Sequence, residues 1–205
     1  MKFAVFASGN GSNLQAIIEA VQAGDIKAEL GLVFSDKRKA YALKRANAAG
    51  IPTLCLLRKD YASPQSYERD IVIQLKEMKI DFVVFAGFMK IFTPFFIKQY
   101  PNQILNVHPS LLPSFKGARG IKDTFTYGVK VTGVTIHFVD DKMDHGPIII
   151  QEAFRISERD TLENLEERIH QVEHKIYPRA IALYVDGRLK VSGRQVKILE
   201  KPSQR

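Results

Sequence analysis

Asn106 and His108 stand two positions apart at the end of the short apolar run Ile104-Leu105-Asn106-Val107, so on a strand their side chains leave the same face. An amide donor beside an imidazole can stabilise an oxyanion, and the imidazole can also move a proton. Pro109 and Pro113 stiffen the loop just beyond and limit the drift of that pair. The bland alternative is a structural histidine at a strand end; the polar neighbour and the proline frame argue for chemistry. Further on, Asp141-Lys142-Met143-Asp144-His145-Gly146-Pro147 sets carboxylates in a loop between two apolar strands. A carboxylate beside His108 would favour the charged imidazole and could take a proton from an incoming amine, directly or through water. A surface turn rich in Asp fits the same residues equally well, because nothing in the spacing brings Asp144 to His108.

Gly9-Asn10-Gly11-Ser12-Asn13 is the second stretch with chemical content. It joins an apolar run to a helical pattern, where glycines let the backbone approach an anion and the helix start offers free N–H groups. Ser12 followed by Gln15 fits a capping box that would place the helix start there. The amides of Gly11, Ser12 and Asn13, with the two side chains, would cradle one phosphate. A dinucleotide fingerprint is incomplete, since its third glycine position falls on Leu14, although Asp36 could meet a ribose. A turn that only needs glycine is the remaining alternative.

His170-Gln171-Val172-Glu173-His174 satisfies an inverted zinc-protease pattern. On a helical wheel, however, His174 points almost opposite the apolar stripe of Leu165, Ile169, Val172 and Ile176, and no third ligand accompanies it. No metal is expected. His137, inside an apolar strand, reads as a structural or supporting residue rather than a catalyst.

The elements that must position these groups alternate. Strands are expected at Phe3 to Ala7, Glu29 to Phe34, Thr53 to Leu57, Phe82 to Ala86 and Ile104 to Val107. Helices are expected from Ser12, over Tyr41 to Ala49, from Pro64 to about Lys79 and near Pro94. Val131 to Val139 and Ile148 to Phe154 are β-rich and joined by a polar loop, so the second half leaves the βα rhythm. A last helix is expected from Thr161 to Val185, bent near Pro178. The pattern predicts an α/β fold: a doubly wound, mostly parallel sheet, Rossmann-like in its N-terminal half, with an antiparallel extension in the C-terminal half. Ligands in that architecture bind beyond the carboxyl ends of the strands, at the loops after Ala7, Ala86 and Val107.

The 205 residues suit one domain at roughly 150 residues each, with 201–205 as a polar tail. With 45% hydrophobic and 25% charged residues, the chain is a globular protein with a sizeable core. The formal charge of +8 favours anionic partners. The single cysteine, Cys55, cannot form an internal disulfide, and nothing reads as a leader or approaches the roughly 18 consecutive apolar residues of a membrane helix. A cytoplasmic location is expected.

Four motifs taken together resemble the phosphoribosylglycinamide formyltransferases, a family of folate-dependent formyl-transfer enzymes in purine synthesis. They are Ala7 to Gln15, Ala86-Gly87-Phe88-Met89-Lys90-Ile91, Asn106 to Pro113 and Met143-Asp144-His145-Gly146-Pro147, in order over nearly the whole chain. The resemblance implies a single formyltransferase domain over 1–205. It implies that Gly11, Ser12 and Asn13 hold the substrate phosphate, that Glu173 binds the ribose, and that Asn106, His108 and Asp144 are catalytic. Met89, Lys90, Ile91 and Phe92 would line the folate pocket with Asn106. The co-substrates implied are 10-formyltetrahydrofolate and 5′-phosphoribosylglycinamide, with no metal, nucleic acid or membrane partner. Three departures stand out. Lys116 replaces a proline before Gly117, with Ala118-Arg119-Gly120 unlike the family. Pro64 replaces an arginine near the folate tail, a place Arg58 or Lys59 would take. His170 replaces a glutamine near the phosphate. Lys116, Arg119 and Lys122 would lie in a mobile flap that attracts the anionic ligands. The competing readings are a 10-formyltetrahydrofolate hydrolase on the same scaffold, and a non-catalytic nucleotide- or RNA-binding module, which lacks a stacking motif here.

Overall fold

A computed structural model describes residues 1–200; the expected tail, 201–205, lies outside them. The first half runs β1 (Lys2–Phe6), α1 (Ser12–Gln22), β2 (Glu29–Ser35), α2 (Tyr41–Ala48), β3 (Thr53–Cys55), α3 (Pro64–Glu77), β4 (Phe82–Phe85), α4 (Pro94–Ile97) and β5 (Ile104–His108). The second half adds α5 (Gly120–Tyr127), β6 (Val131–Phe138), β7 (Ile148–Arg155), α6 (Leu162–Val185), β8 (Leu189–Ser192) and β9 (Gln195–Ile198).

Seven strands form one sheet in the order β3-β2-β1-β4-β5-β6-β7. Pairing is parallel from β3 to β5, then antiparallel between β5 and β6 and between β6 and β7. The expected mostly parallel sheet with an antiparallel extension is what forms. β8 and β9 make a separate antiparallel hairpin.

Two cores explain why β1 and β4 are continuously apolar. Phe3, Val5, Phe82 and Val84 enter one, under α1 and α6; Ala4, Phe6, Val83 and Phe85 enter the other, under α3 and α4. Successive side chains leave opposite faces, so a strand covered on both sides has no polar position. The second core is aromatic. Phe6 lies within 6.0 Å, ring to ring, of Phe34, Phe85, Phe88, Phe92 and Phe96. Phe88 and Phe92 belong to the loop after β4, so this cluster anchors a loop as well as a sheet. Truncating Phe6, which is fully buried, would cost about 3–5 kcal/mol. On the other face, the buried Tyr177 hydroxyl donates toward the carbonyls of Phe85 and Leu105, at 2.9 and 3.0 Å, tying α6 to the end of β4 and the start of β5.

Several local expectations differ. Ser12 is not a cap: Gly11 takes the N-cap position with φ 76°, and no side chain caps α1. The reason is competition, since Gln15 Oε1 accepts from Arg45 and Gln15 Nε2 donates to Glu19. The segment expected as a flap contains a helix, α5, and the chain after α6 forms the unforeseen hairpin. α6 does run as expected through Pro178 to Val185, capped by Thr161, whose side chain accepts from Asn164 N. No helix among the described residues is long and apolar enough to cross a membrane.

Candidate active site

The strand order reverses direction between β1 and β4, the switch point where open α/β sheets bind ligands. The loops after β1 and β4 are joined there by Ser8 N donating to Gly87 O at 3.2 Å. With the end of β5, the β6–β7 connection and α6, they enclose a cleft of about 600 Å³. That size suits a small-molecule site. A larger, more open groove of about 840 Å³ runs between α1 and α6, but of the expected catalytic and binding residues it carries Ser12 alone.

β5 delivers Asn106 and His108 to the cleft wall from one face, as their spacing requires. Its antiparallel neighbour puts His137 opposite Asn106. His137 Nδ1 donates to Phe138 O at 2.7 Å, which leaves Nε2 to accept from Asn106 Nδ2 at 3.1 Å. Burial lowers the His137 pKa, so the ring stays neutral and keeps that lone pair. The contact orients the amide: its nitrogen faces His137, and a second N–H remains for a ligand.

Asp144 reaches His108 after all. Its Oδ2 lies 3.5 Å from His108 Nδ1 and accepts from Gly117 N at 2.8 Å, while Oδ1 lies 3.9 Å from His137 Nε2. Asp144 adopts φ 47°, a left-handed conformation that Asp tolerates better than most residues. His108 Nε2 lies 2.8 Å from Phe115 O. Both ring nitrogens therefore face oxygen acceptors, which suits the doubly protonated imidazole. His108 is 4% exposed, so these contacts act where water screens them little.

The loop after β1, expected to hold a phosphate, is built around Gly11. A Cβ there would lie 2.8 Å from the Ala42 Cβ, so both the positive φ and the packing against α2 demand glycine. Arg45 fixes the loop by donating to Asn10 O at 3.0 Å and Asn10 Oδ1 at 2.9 Å. Gln15 N is bonded to Gly11 O, so the preceding amides of Ser12, Asn13 and Leu14 stand at an open helix start. Asn13 Nδ2 and His170 Nδ1 meet the same Glu173 oxygen, at 2.9 and 2.8 Å. Glu173 is 4% exposed and its other oxygen is left for a ligand. The hydrogen bond to Glu173 raises the His170 pKa against the opposing effect of burial.

His174 does not face open water. It is half-buried against α1, its ring stacked on that of His170 with centroids 6.2 Å apart, and burial lowers its pKa. The wheel misled because α6 is covered on two sides, by the sheet and by α1.

The segment after β4 forms the opposite wall. Met89, Lys90, Ile91 and Phe92 all line the cleft; Met89 and Ile91 are 60% and 76% exposed, while the Phe92 ring packs into the aromatic core. Two contacts missed in the sequence hold this segment. Ser8 Oγ donates to the buried Asp36 at 2.6 Å and accepts from Met89 N at 3.1 Å. The buried Glu68 accepts from Thr93 N at 2.8 Å. Asp36 Oδ1 is thereby occupied and Asp36 lies outside the cleft lining, so it is not placed for the ribose contact considered for it. Lys59 lies apart: it is exposed on a 3-10 turn after β3, outside the cleft lining, and Arg58 beside it donates to Tyr61 O. Arg119 and Lys122 line the cleft on α5 and its approach; Lys116, exposed, does not. Among the described residues, no group of three or more His, Cys, Asp or Glu side chains gathers as a metal site.

Similarity to known proteins agrees with this geometry. Residues 1–181 match the family described as formyl transferase. The phosphoribosylglycinamide formyltransferase of Bacillus subtilis is 43% identical over 180 residues, 88% of this chain and 92% of that protein. The Escherichia coli protein of the same name is 40% identical over 191 residues, 93% of this chain and 90% of its own. The crystal structure of glycinamide ribonucleotide transformylase 1 from Symbiobacterium toebii superposes with a TM-score of 0.95 at 41% identity, covering 98% of this chain and 94% of that one. The chain belongs to the formyl transferase family, among its phosphoribosylglycinamide formyltransferases.

Proposed function

We propose that this protein transfers the formyl group of 10-formyltetrahydrofolate to the primary amine of 5′-phosphoribosylglycinamide, in purine synthesis. The observation that carries the proposal is the convergence of Asn106, His108 and Asp144 between two dissimilar walls of one cleft. One wall, the start of α1 with Glu173 and His170, suits a phosphoribosyl group: free amides and an imidazolium for the phosphate, a carboxylate oxygen for ribose hydroxyls. The other, with exposed Met89 and Ile91 beside main-chain groups of 89–92, suits a flat, amphipathic formyl donor of the folate type.

In this mechanism the neutral amine attacks the formyl carbon, forming a C–N bond and a tetrahedral oxyanion. The free N–H of Asn106 and an N–H of His108 receive that charge. For His108 Nε2 to do so, the Phe115 carbonyl withdraws as substrate enters, and the 115–119 loop moves with it. The bond from carbon to the folate nitrogen then breaks, with His108 giving a proton to the leaving nitrogen. Asp144 keeps the imidazole charged and helps take the proton lost by the amine. No metal has a part in this chemistry, and no nucleic acid or membrane does. The described residues, 1–200, work as one domain, in the cytoplasm.

Removing one oxyanion donor typically costs about 10²–10³ in rate. Asn106→Ala and His108→Ala should each fall that far in kcat, measured by formyl transfer with both substrates saturating. Near-full turnover by His108→Ala would remove the imidazole from the mechanism.

A further inference from the structure

The connection between β6 and β7 must hold Asp144 in its left-handed conformation, and nothing in the proposed chemistry says what holds it. The loop is closed at its base by packing, since a Cβ on Gly146 would fall 1.8 Å from Phe138 O. It is closed across its middle by polar contacts. His145 Nδ1 lies 2.6 Å from Asp140 Oδ2, and Lys142 N donates to Asp140 Oδ1 at 3.0 Å. One more group reaches this loop from outside. The hairpin packs beside β7 and turns through Gly193 and Arg194 between β8 and β9, with Gly193 at φ 57°. Arg194 Nη1 lies 3.1 Å from His145 Nε2 and 3.2 Å from Nδ1. Because it is almost equidistant from both nitrogens, the guanidinium lies over the imidazole rather than along one lone pair.

The charges suit a clamp. Asp140 is anionic, Arg194 cationic and His145 stands between them, donating Nδ1–H to the carboxylate and offering its electron-rich face to the guanidinium. The side chains of the other charged residues of this loop, Asp141, Lys142 and Asp144, take no part in these contacts. His145 is the immediate neighbour of Asp144, so fixing its ring fixes the backbone that aims the Asp144 carboxylate at Gly117 and His108.

We infer that Arg194 is a positioning residue for the reaction: carried in the hairpin turn, it clamps His145 onto Asp140 and so keeps Asp144 on His108. The inference rests on the proposed role of Asp144. It gives the C-terminal hairpin, which lies beyond the residues matching the family, a part in the active site.

The test compares wild type with Arg194→Ala, Arg194→Lys, His145→Ala and the Arg194→Ala/His145→Ala double variant. Formyl transfer gives kcat and both KM values, and hydrogen exchange follows the amides of Gly117 and Lys142. Misplacing a reacting group by a fraction of an ångström costs about tenfold, so Arg194→Ala should lose about tenfold in kcat. KM for the phosphate-bearing substrate should stay within about twofold of wild type. Arg194→Lys should recover part of the loss. The double variant should be no slower than His145→Ala alone, since both changes break one contact. Exchange at Gly117 and Lys142 should quicken in Arg194→Ala, with the unfolding temperature unchanged. Wild-type kcat and wild-type exchange in Arg194→Ala would overturn the clamp. So would a loss matched by a lower unfolding temperature and restored on cooling, which would mark the hairpin as a prop for the fold. If wild type itself transferred no formyl group, the functional proposal would fail, and exchange at Gly117 would still judge the clamp.

Discussion

Asp144→Asn is the substitution that most sharply separates electrostatics from architecture at this site. The two side chains have nearly the same shape, and asparagine tolerates a φ of 47° as well as aspartate does. The amide oxygen can still accept from Gly117 N, now 2.8 Å from Asp144 Oδ2, so the loop keeps its anchor. What disappears is the charge facing His108 Nδ1 at 3.5 Å. At an effective dielectric near 20, a charge pair at that distance is worth about 4–5 kcal/mol. Both partners are largely buried, at 5% and 11% side-chain exposure, so solvent screening takes little from it. Part of that energy is already present before the reaction, and only the part felt in the transition state counts. The expected loss is therefore about 10²–10³ in kcat, with both KM values and the unfolding temperature close to wild type. Steady-state formyl transfer together with thermal unfolding measures it. A kcat within about threefold of wild type would refute the electrostatic role.

Two other expectations concern the wall proposed to hold the phosphate. His170 carries a raised pKa through Glu173, so its charge persists above the ordinary imidazole value of 6.5 and is lost as pH rises through the raised one. Affinity for the phosphoribosyl substrate should weaken over that rise, by about threefold because the ring is half-exposed, and His170→Gln should flatten the dependence of KM on pH. An unchanged slope in the variant would exclude His170 as the source. Gly11→Ala forces a side chain into both a left-handed backbone and the Ala42 contact. It should cost about 2 kcal/mol, lower the unfolding temperature by about 4–8 °C and raise KM for the phosphate-bearing substrate. A KM equal to wild type would place the phosphate elsewhere.

What was legible in the sequence depended on range. The alternation of β1 and β4 between two cores is local and appears as unbroken apolar runs, so the sheet could be anticipated. Asn106 and His108 were found through a two-residue spacing, and Gly11 through the demands of a strand-to-helix turn. Contacts between distant segments were not. Asp144 meets His108, and His137 meets Asn106, only because β6 pairs with β5 in one register. The capping box failed because Gln15 is claimed by Arg45, a residue of another helix. α5 went unseen because Gly120, Asp123, Thr124 and Thr126 are poor helix formers held by tertiary packing. The hairpin did leave a signal: Leu189, Val191, Val196 and Ile198 alternate about Ser192-Gly193-Arg194, the pattern of a short hairpin. Lys59 shows the reverse case, a charge of the right kind near the right position in the chain, on a turn outside the cleft.

The most direct test of the central claim is loss of the formyl group from 10-formyltetrahydrofolate by the purified protein, with and without 5′-phosphoribosylglycinamide. Loss that requires the ribonucleotide, matched mole for mole by formylated product, is the predicted result. Equal loss in its absence would mean that water is the acceptor, and would contradict an active site in which the start of α1, Glu173 and His170 hold a phosphoribosyl amine against Asn106, His108 and Asp144.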